Sequence, residues 1–139
     1  MSTTEVYDKI LDELDRGQGI QLARMIFNAL TMAPDGLSRR ALVRIIFARS
    51  AGSNIGSDTA DRKIRKVISE MRARHIPIVS TSGKPGYRLD DSDAARKEMM
   101  LEMIRRRDSL DKQIRAASQM WKIPVIYTDP VKGEQMRLI

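Results

Sequence analysis

The stretch Asp61-Arg-Lys-Ile-Arg-Lys-Val-Ile-Ser-Glu-Met-Arg-Ala-Arg-His-Ile-Pro-Ile-Val-Ser80, followed by Gly86-Tyr-Arg-Leu89, decides the fold. Ala60, Ile64, Val67, Ile68 and Met71 recur at helical spacing and make one apolar stripe. Arg62, Arg65, Lys66, Ser69 and Arg72 occupy the opposite side, with Lys63 at its edge. The period changes after His75. Ile76-Pro-Ile-Val-Ser-Thr81 is short, β-branched and extended, Ser82-Gly-Lys-Pro-Gly86 is turn chemistry, and Tyr87-Arg-Leu89 reads as the return strand of a β-hairpin. A helix with one buried and one cationic face therefore leads directly into a two-stranded hairpin.

Upstream, Val6, Ile10, Leu11 and Leu14 mark a helix over 4–15 with acids between them. A second helix is expected over 19–32, carrying Leu22, Ala23, Ile26, Phe27 and Leu30 on one face. Ala33-Pro-Asp-Gly36 is a turn by composition. Ser38 caps a third helix over 38–50, with apolar positions Ala41, Leu42, Ile45, Ile46 and Phe47. Residues 51–57 form a loop of small residues, and Ser57 or Asp58 caps the fourth helix, which runs to Arg74. From Asp91 to Trp121 no Gly or Pro interrupts a long final helix, and 122–139 reads as a tail with a short strand at 123–127. The expected organisation is an acidic helix over 1–18, a module over 19–90, a long helix over 91–121 and a tail over 122–139.

Charge is distributed unevenly. The formal net charge is +7 with a pI near 10, yet residues 1–15 carry Glu5, Asp8, Asp12, Glu13 and Asp15 against the single base Lys9. Residues 16–88 carry fourteen bases against four acids, and the remainder is nearly balanced. A basic central module suggests a polyanionic partner, nucleic acid first and an anionic membrane surface second. With no cysteine and one histidine, disulfides, Cys-based zinc sites and thiol nucleophiles are excluded. There is no Gly-rich phosphate loop, metal-ligand spacing or nucleophile–base pair, so neither an enzyme nor a cofactor nor a metal site is expected. No apolar run reaches the ~18 residues of a membrane span, and no signal peptide opens the sequence; a cytoplasmic, nucleoid-associated protein is expected.

The order helix, helix, loop, helix, hairpin over residues 19–90 resembles the winged helix-turn-helix family. The basic helix at 61–74, Ile76-Pro-Ile78 opening a strand and Gly86-Tyr-Arg-Leu89 closing it look like the wing of bacterial regulators, such as the DNA-binding domain of the biotin-operon repressor. The fold class so implied is mainly α with a small β-hairpin, a winged helix-turn-helix plus a long C-terminal helix. The function implied is sequence-specific binding of double-stranded DNA by a transcriptional regulator of bacterial or phage type.

By this resemblance Arg62, Lys63 and Lys66 are assigned to base edges in the major groove, with Arg65, Ser69 and Arg72 beside them and Arg65 and Arg72 closer to phosphate. Lys84 and Arg88 are candidates on the wing for the flanking backbone or minor groove. Arg39 and Arg40 stand at a helix N-terminus, where two cations oppose the helix dipole unless an anion sits there. A plain solvated basic surface is the competing reading of each. His75 reads as a C-terminal cap, and Asp58 and Asp61 as capping and dipole residues.

On the long helix, Met100, Met103, Leu110, Ile114, Ala117 and Trp121 follow a 4–3 alternation, with Arg107 in the missing position. This seam is assigned to a homodimer; folding back on the chain's own module is the other solution. The same build is similar to phage small terminase subunits. The alternative function is a protein-interaction or assembly module, such as a phage packaging or replication accessory protein, docking through the winged helix, the acidic first helix or the Met-rich last helix.

Overall fold

A computed structural model describes residues 2–81, 86–129 and 134–138, and the chain divides into two units, Met1–Ala95 and Arg96–Ile139. The first unit opens with α1, Thr3–Asp15. Ser2 Oγ accepts from the Glu5 amide at 3.2 Å while the Glu5 carboxylate accepts from the Ser2 amide at 2.8 Å, a complete capping box. Helix α2 covers Leu22–Thr31 and starts later than its apolar pattern suggests. The reason is Asp15, whose carboxylate reaches across the 16–21 loop to accept from the Ala23 and Arg24 amides at 2.8 and 2.9 Å. The cap is thus supplied by the preceding helix, and residues 19–21 stay outside.

Strand β1, Leu37–Ser38, leads into α3, Arg39–Phe47. Ser38 Oγ caps α3 by accepting from the Ala41 amide at 3.1 Å, as its residue type predicts. The helix ends at Phe47, short of the expected residue 50, because Ala48 turns into the left-handed region at φ 54°. A single 3-10 turn at Ile55–Ser57 precedes α4, Thr59–Ala73. Of the two candidate caps for α4, Asp58 is the one used, accepting from the Asp61 amide at 3.1 Å.

Helix α4 terminates as its sequence suggests. His75 takes φ 69°, its amide donates to Arg72 O at 2.9 Å, and the Ile76 amide donates to Met71 O at 3.1 Å. That pair of bonds is a Schellman cap with histidine in the place glycine usually takes. Strands β2, Ile78–Ser80, and β3, Gly86–Leu89, then pair antiparallel with Ile78 opposite Leu89 and Ser80 opposite Tyr87.

The hairpin is one strand larger than the sequence pattern implies. Strand β1 adds to β3, Leu37 opposite Tyr87 and Ser38 opposite Gly86, so the sheet order is β1-β3-β2. Two residues carry no periodicity, and β1 exists only because β3 offers it a free edge. The core beneath gathers Ile10 and Leu11 from α1, Ala23, Ile26 and Leu30 from α2, Leu42, Val43 and Ile46 from α3, and Ala60, Ile64, Ile68 and Met71 from α4. Ile76 and Ile78 close it from the sheet side. Ile45 departs from its expected place on the apolar face of α3, being 54% exposed.

The second unit holds most of α5, Asp93–Trp121, and an antiparallel pair, β4 Ile126–Asp129 with β5 Glu134–Leu138. This corrects the reading of 122–139 as a tail with one strand at 123–127. Lys122 turns at φ 55° and Pro124 has no amide to offer a ladder, so the strand begins after them and finds a partner downstream. The molecule is therefore mainly helical with a small three-stranded antiparallel sheet. Among the described residues no helix is long and apolar enough to cross a membrane.

Gly86 is a position where backbone packing dictates the residue. A Cβ there would run into Leu37 O and lie 3.0 Å from Ser38 Cα. Gly86→Ala is expected to push β1 off β3 and cost about 1–3 kcal/mol. Gly19→Ala, with nothing within 4 Å of its Cβ position, is expected to stay within about 0.5 kcal/mol of wild type. Thermal melts followed by circular dichroism compare the two.

Candidate functional site

The N-terminus of α4 is fixed by a buried carboxylate. Asp61 lies in the core, fully buried, and accepts from Arg39 through Nε at 2.9 Å and Nη2 at 2.5 Å, and from Arg65 Nε at 2.8 Å. Arg39 begins α3 and Arg65 sits one turn after Asp61 on α4, so one acid ties the two helices together. Burial alone would raise the Asp61 carboxyl; the bonds from Arg39 and Arg65 outweigh it and hold the group below the usual carboxylate range. Three positions earlier, Asp58 accepts from Arg49 at 3.0 and 3.2 Å and from the Gly52 amide at 2.8 Å. Arg49, then the Gly52 and Asp61 amides, hold its carboxyl well below its ordinary range.

This arrangement settles what the flanking arginines touch. The two cations at the start of α3 are accounted for inside the chain. Arg39 is held by Asp61, and Arg40 donates to Gly52 O at 2.9 Å and Ser53 O at 3.0 Å. Arg65, besides Asp61, donates to Gly56 O at 3.2 Å. Arg72 donates to Ile78 O at 2.8 Å and Ser80 Oγ at 3.1 Å, and its guanidinium lies 5.5 Å from the centre of the Tyr87 ring, so it clasps the sheet to α4. Arg88 faces Asp90 at 3.2 Å. Lys84 lies outside the described residues.

What remains is narrow and contiguous. Arg62, Lys63, Lys66 and Ser69 are all exposed, and the three cations make no ion pair or hydrogen bond to any described residue. Helical spacing puts them along one strip over the first half of α4. Glu70 follows on that strip, so its positive charge is confined to the N-terminal turns. Beside it an open cleft of about 470 Å³ separates α4 from the loop after α1, lined by Leu14, Gln18, Ile20, Lys63, Lys66 and Val67 among others.

The acids of α1 are not a free surface. Glu5 closes the capping box, Asp8 and Asp12 accept from Arg24 at 2.7 and 2.8 Å, Glu13 accepts from Arg74 at 2.6 Å, and Asp15 caps α2. Each negative charge that makes this helix acidic in the sequence has a partner within the first unit.

The seam of α5 is open. Met100, Met103, Leu110, Ile114 and Trp121 are each 46–66% exposed, Ala117 is half-buried, and no residue of the helix is fully buried. No known protein family, curated protein or solved structure matches the chain.

Of the cationic face read from the sequence, Arg62, Lys63, Lys66 and Ser69 are exposed, whereas Arg65 and Arg72 are drawn into contacts of the fold, and Asp61 as the hub beneath them was missed. The signal within reach was Arg65, four residues after an acid at the third helical position. Arg39, the stronger partner, is 22 residues away and left no local trace.

Asp58 and Asp61 titrate lower in the folded protein than in the unfolded chain. Their stabilisation is therefore complete above the unfolded value of about 3.9 and is lost as pH falls through the folded values. Asp61→Ala is expected to lower stability at pH 7 by about 3–5 kcal/mol, since it strands Arg39 and Arg65. It should also flatten the acid limb below about pH 4. Urea unfolding at pH 7 and pH 3 measures both.

Proposed function

We propose that residues 19–90 form a winged helix-turn-helix that binds double-stranded DNA sequence-specifically, with α4 in the major groove and the β2–β3 wing on the flanking backbone. The observation that carries the proposal is the strip of Arg62, Lys63 and Lys66, exposed and without a partner among the described residues, while Arg39, Arg40, Arg65 and Arg72 beside it are consumed by the fold. Supporting it, the order α2, β1, α3, α4, β2, β3 and the sheet order β1-β3-β2 match the build of a winged helix. A transcriptional regulator of bacterial or phage type, nucleoid-associated, follows from this reading.

The chemistry of the strip suits a duplex. An α-helix fits a major groove ~12 Å wide, and an arginine can donate two hydrogen bonds to a guanine edge. Arg62 stands in the first turn of α4, where helix-turn-helix proteins read bases. Lys63 and Lys66 supply point charges for phosphates or base acceptors, and Ser69 a hydroxyl one turn further. Of the arginines first assigned to phosphate, Arg65, Arg72 and Arg39 act here by holding α4 in place. Arg88, half-exposed on β3, keeps a surface from which to reach the backbone. A second reading, an assembly module, draws on the open apolar seam of α5 rather than on α1, whose charges are internally paired.

Fluorescence anisotropy with a random-sequence duplex, from 50 to 200 mM salt, tests the proposal. A slope of several log units of affinity per log unit of salt is expected. Joint replacement of Arg62, Lys63 and Lys66 by Ala should reduce that slope by about two to three units and leave the melting temperature unchanged. Against a selected site, Arg62→Ala alone should cost about 1–3 kcal/mol and relax preference at one base pair. Unaltered binding by the triple variant would refute the assignment.

A further inference from the structure

A shallow groove runs along α5, with Met103, Leu110 and Ile114 on its floor and Arg106, Arg107 and Asp111 around it. In the heptad register of the seam, Met103 and Leu110 hold d positions and Arg107 and Ile114 hold a positions. Arg106 then precedes the seam at g, and Asp111 follows it at e. The groove therefore has an apolar floor, a positive edge and a negative edge.

Such a groove is complementary to itself. In a parallel pair of helices, a g residue of one chain meets the e residue five positions later in the other. Five positions from Arg106 is Asp111. Two-fold symmetry repeats the contact, so one self-pairing surface makes two ion pairs at once. In an antiparallel pair, g faces g and e faces e, so Arg106 and Asp111 would not meet across the interface.

The free chain leaves both edges usable. Arg106 is exposed and makes no ion pair or hydrogen bond to a described residue. Asp111 accepts from Arg115 Nε of its own helix at 2.9 Å, an exposed i,i+4 pair, and its carboxylate has acceptor capacity for a second donor. Arg107, the polar residue on the seam, turns towards Asp108 of its own helix at 3.2–3.4 Å.

We propose that α5 pairs in parallel with α5 of a second copy of this chain, with reciprocal ion pairs between Arg106 of each copy and Asp111 of the other. The apolar floor supplies the affinity, and the two charged edges choose direction and register. A lone polar residue on a coiled-coil seam lowers stability while it fixes register, and Arg107 has that place here. The proposal is independent of DNA binding.

Sedimentation equilibrium of the full chain without DNA tests it by charge exchange. The wild type is expected to be a dimer. Arg106→Glu alone and Asp111→Arg alone each turn both interchain contacts into like-charge contacts, and each is expected to dissociate at least roughly tenfold more readily. An equimolar mixture of the two variants restores both contacts and is expected to recover a heterodimer of near wild-type affinity. Circular dichroism of each variant shows that the helix is retained. A monomeric wild type overturns the proposal. So do single variants that dimerise like wild type, as antiparallel pairing requires, and so does a mixture that stays monomeric.

Discussion

A buried carboxylate held by two arginines from different helices sets the geometry of the first unit. Asp61 is removed from solvent, and an unpaired charge there would be costly. Arg39 and Arg65 compensate it, and each can do so only if the start of α3 and the first turns of α4 lie where they do. Asp58 repeats the device three positions earlier, gathering Arg49 and the 50–52 loop. The N-terminal end of α4 is thus fixed by electrostatics from below, while Ile64, Ile68 and Met71 fix its length against the core.

That arrangement divides the arginines and lysines by task. The central region is strongly basic in the sequence, but much of its charge never reaches a partner outside the chain. Arg24 and Arg74 neutralise the acids of α1, Arg39, Arg49 and Arg65 serve the Asp58–Asp61 cluster, and Arg72 fastens the sheet. Charge totals alone therefore overstate the cationic surface that is left exposed. The strip at Arg62, Lys63 and Lys66 is small, and it is carried on a helix whose neighbouring arginines are held by contacts within the fold.

Local rules made much of the first unit legible. The α4 stripe, the Ser38 cap and the His75 cap each depend on residues within one or two turns of each other. What escaped the sequence depends on distant partners. Asp15 caps a helix from across a loop, β1 exists because β3 presents an edge, and Asp61 finds Arg39 in another helix. The same limit applies to the site. Arg39, Arg40, Arg65 and Arg72 look as available as Arg62 in the sequence, and only the position of an acid or a carbonyl oxygen in the fold separates the two groups. The exposed α5 seam was legible because a heptad pattern is local.

The most direct measurement is a titration of the isotopically labelled full chain with a short duplex, following backbone amide shifts by NMR. The account predicts that the largest changes fall on residues 59–69 of α4 and on strands β2 and β3, with α1 and α5 little affected. Changes confined to α1 or α5, with the amides around Arg62 and Lys66 unmoved at saturation, would contradict it.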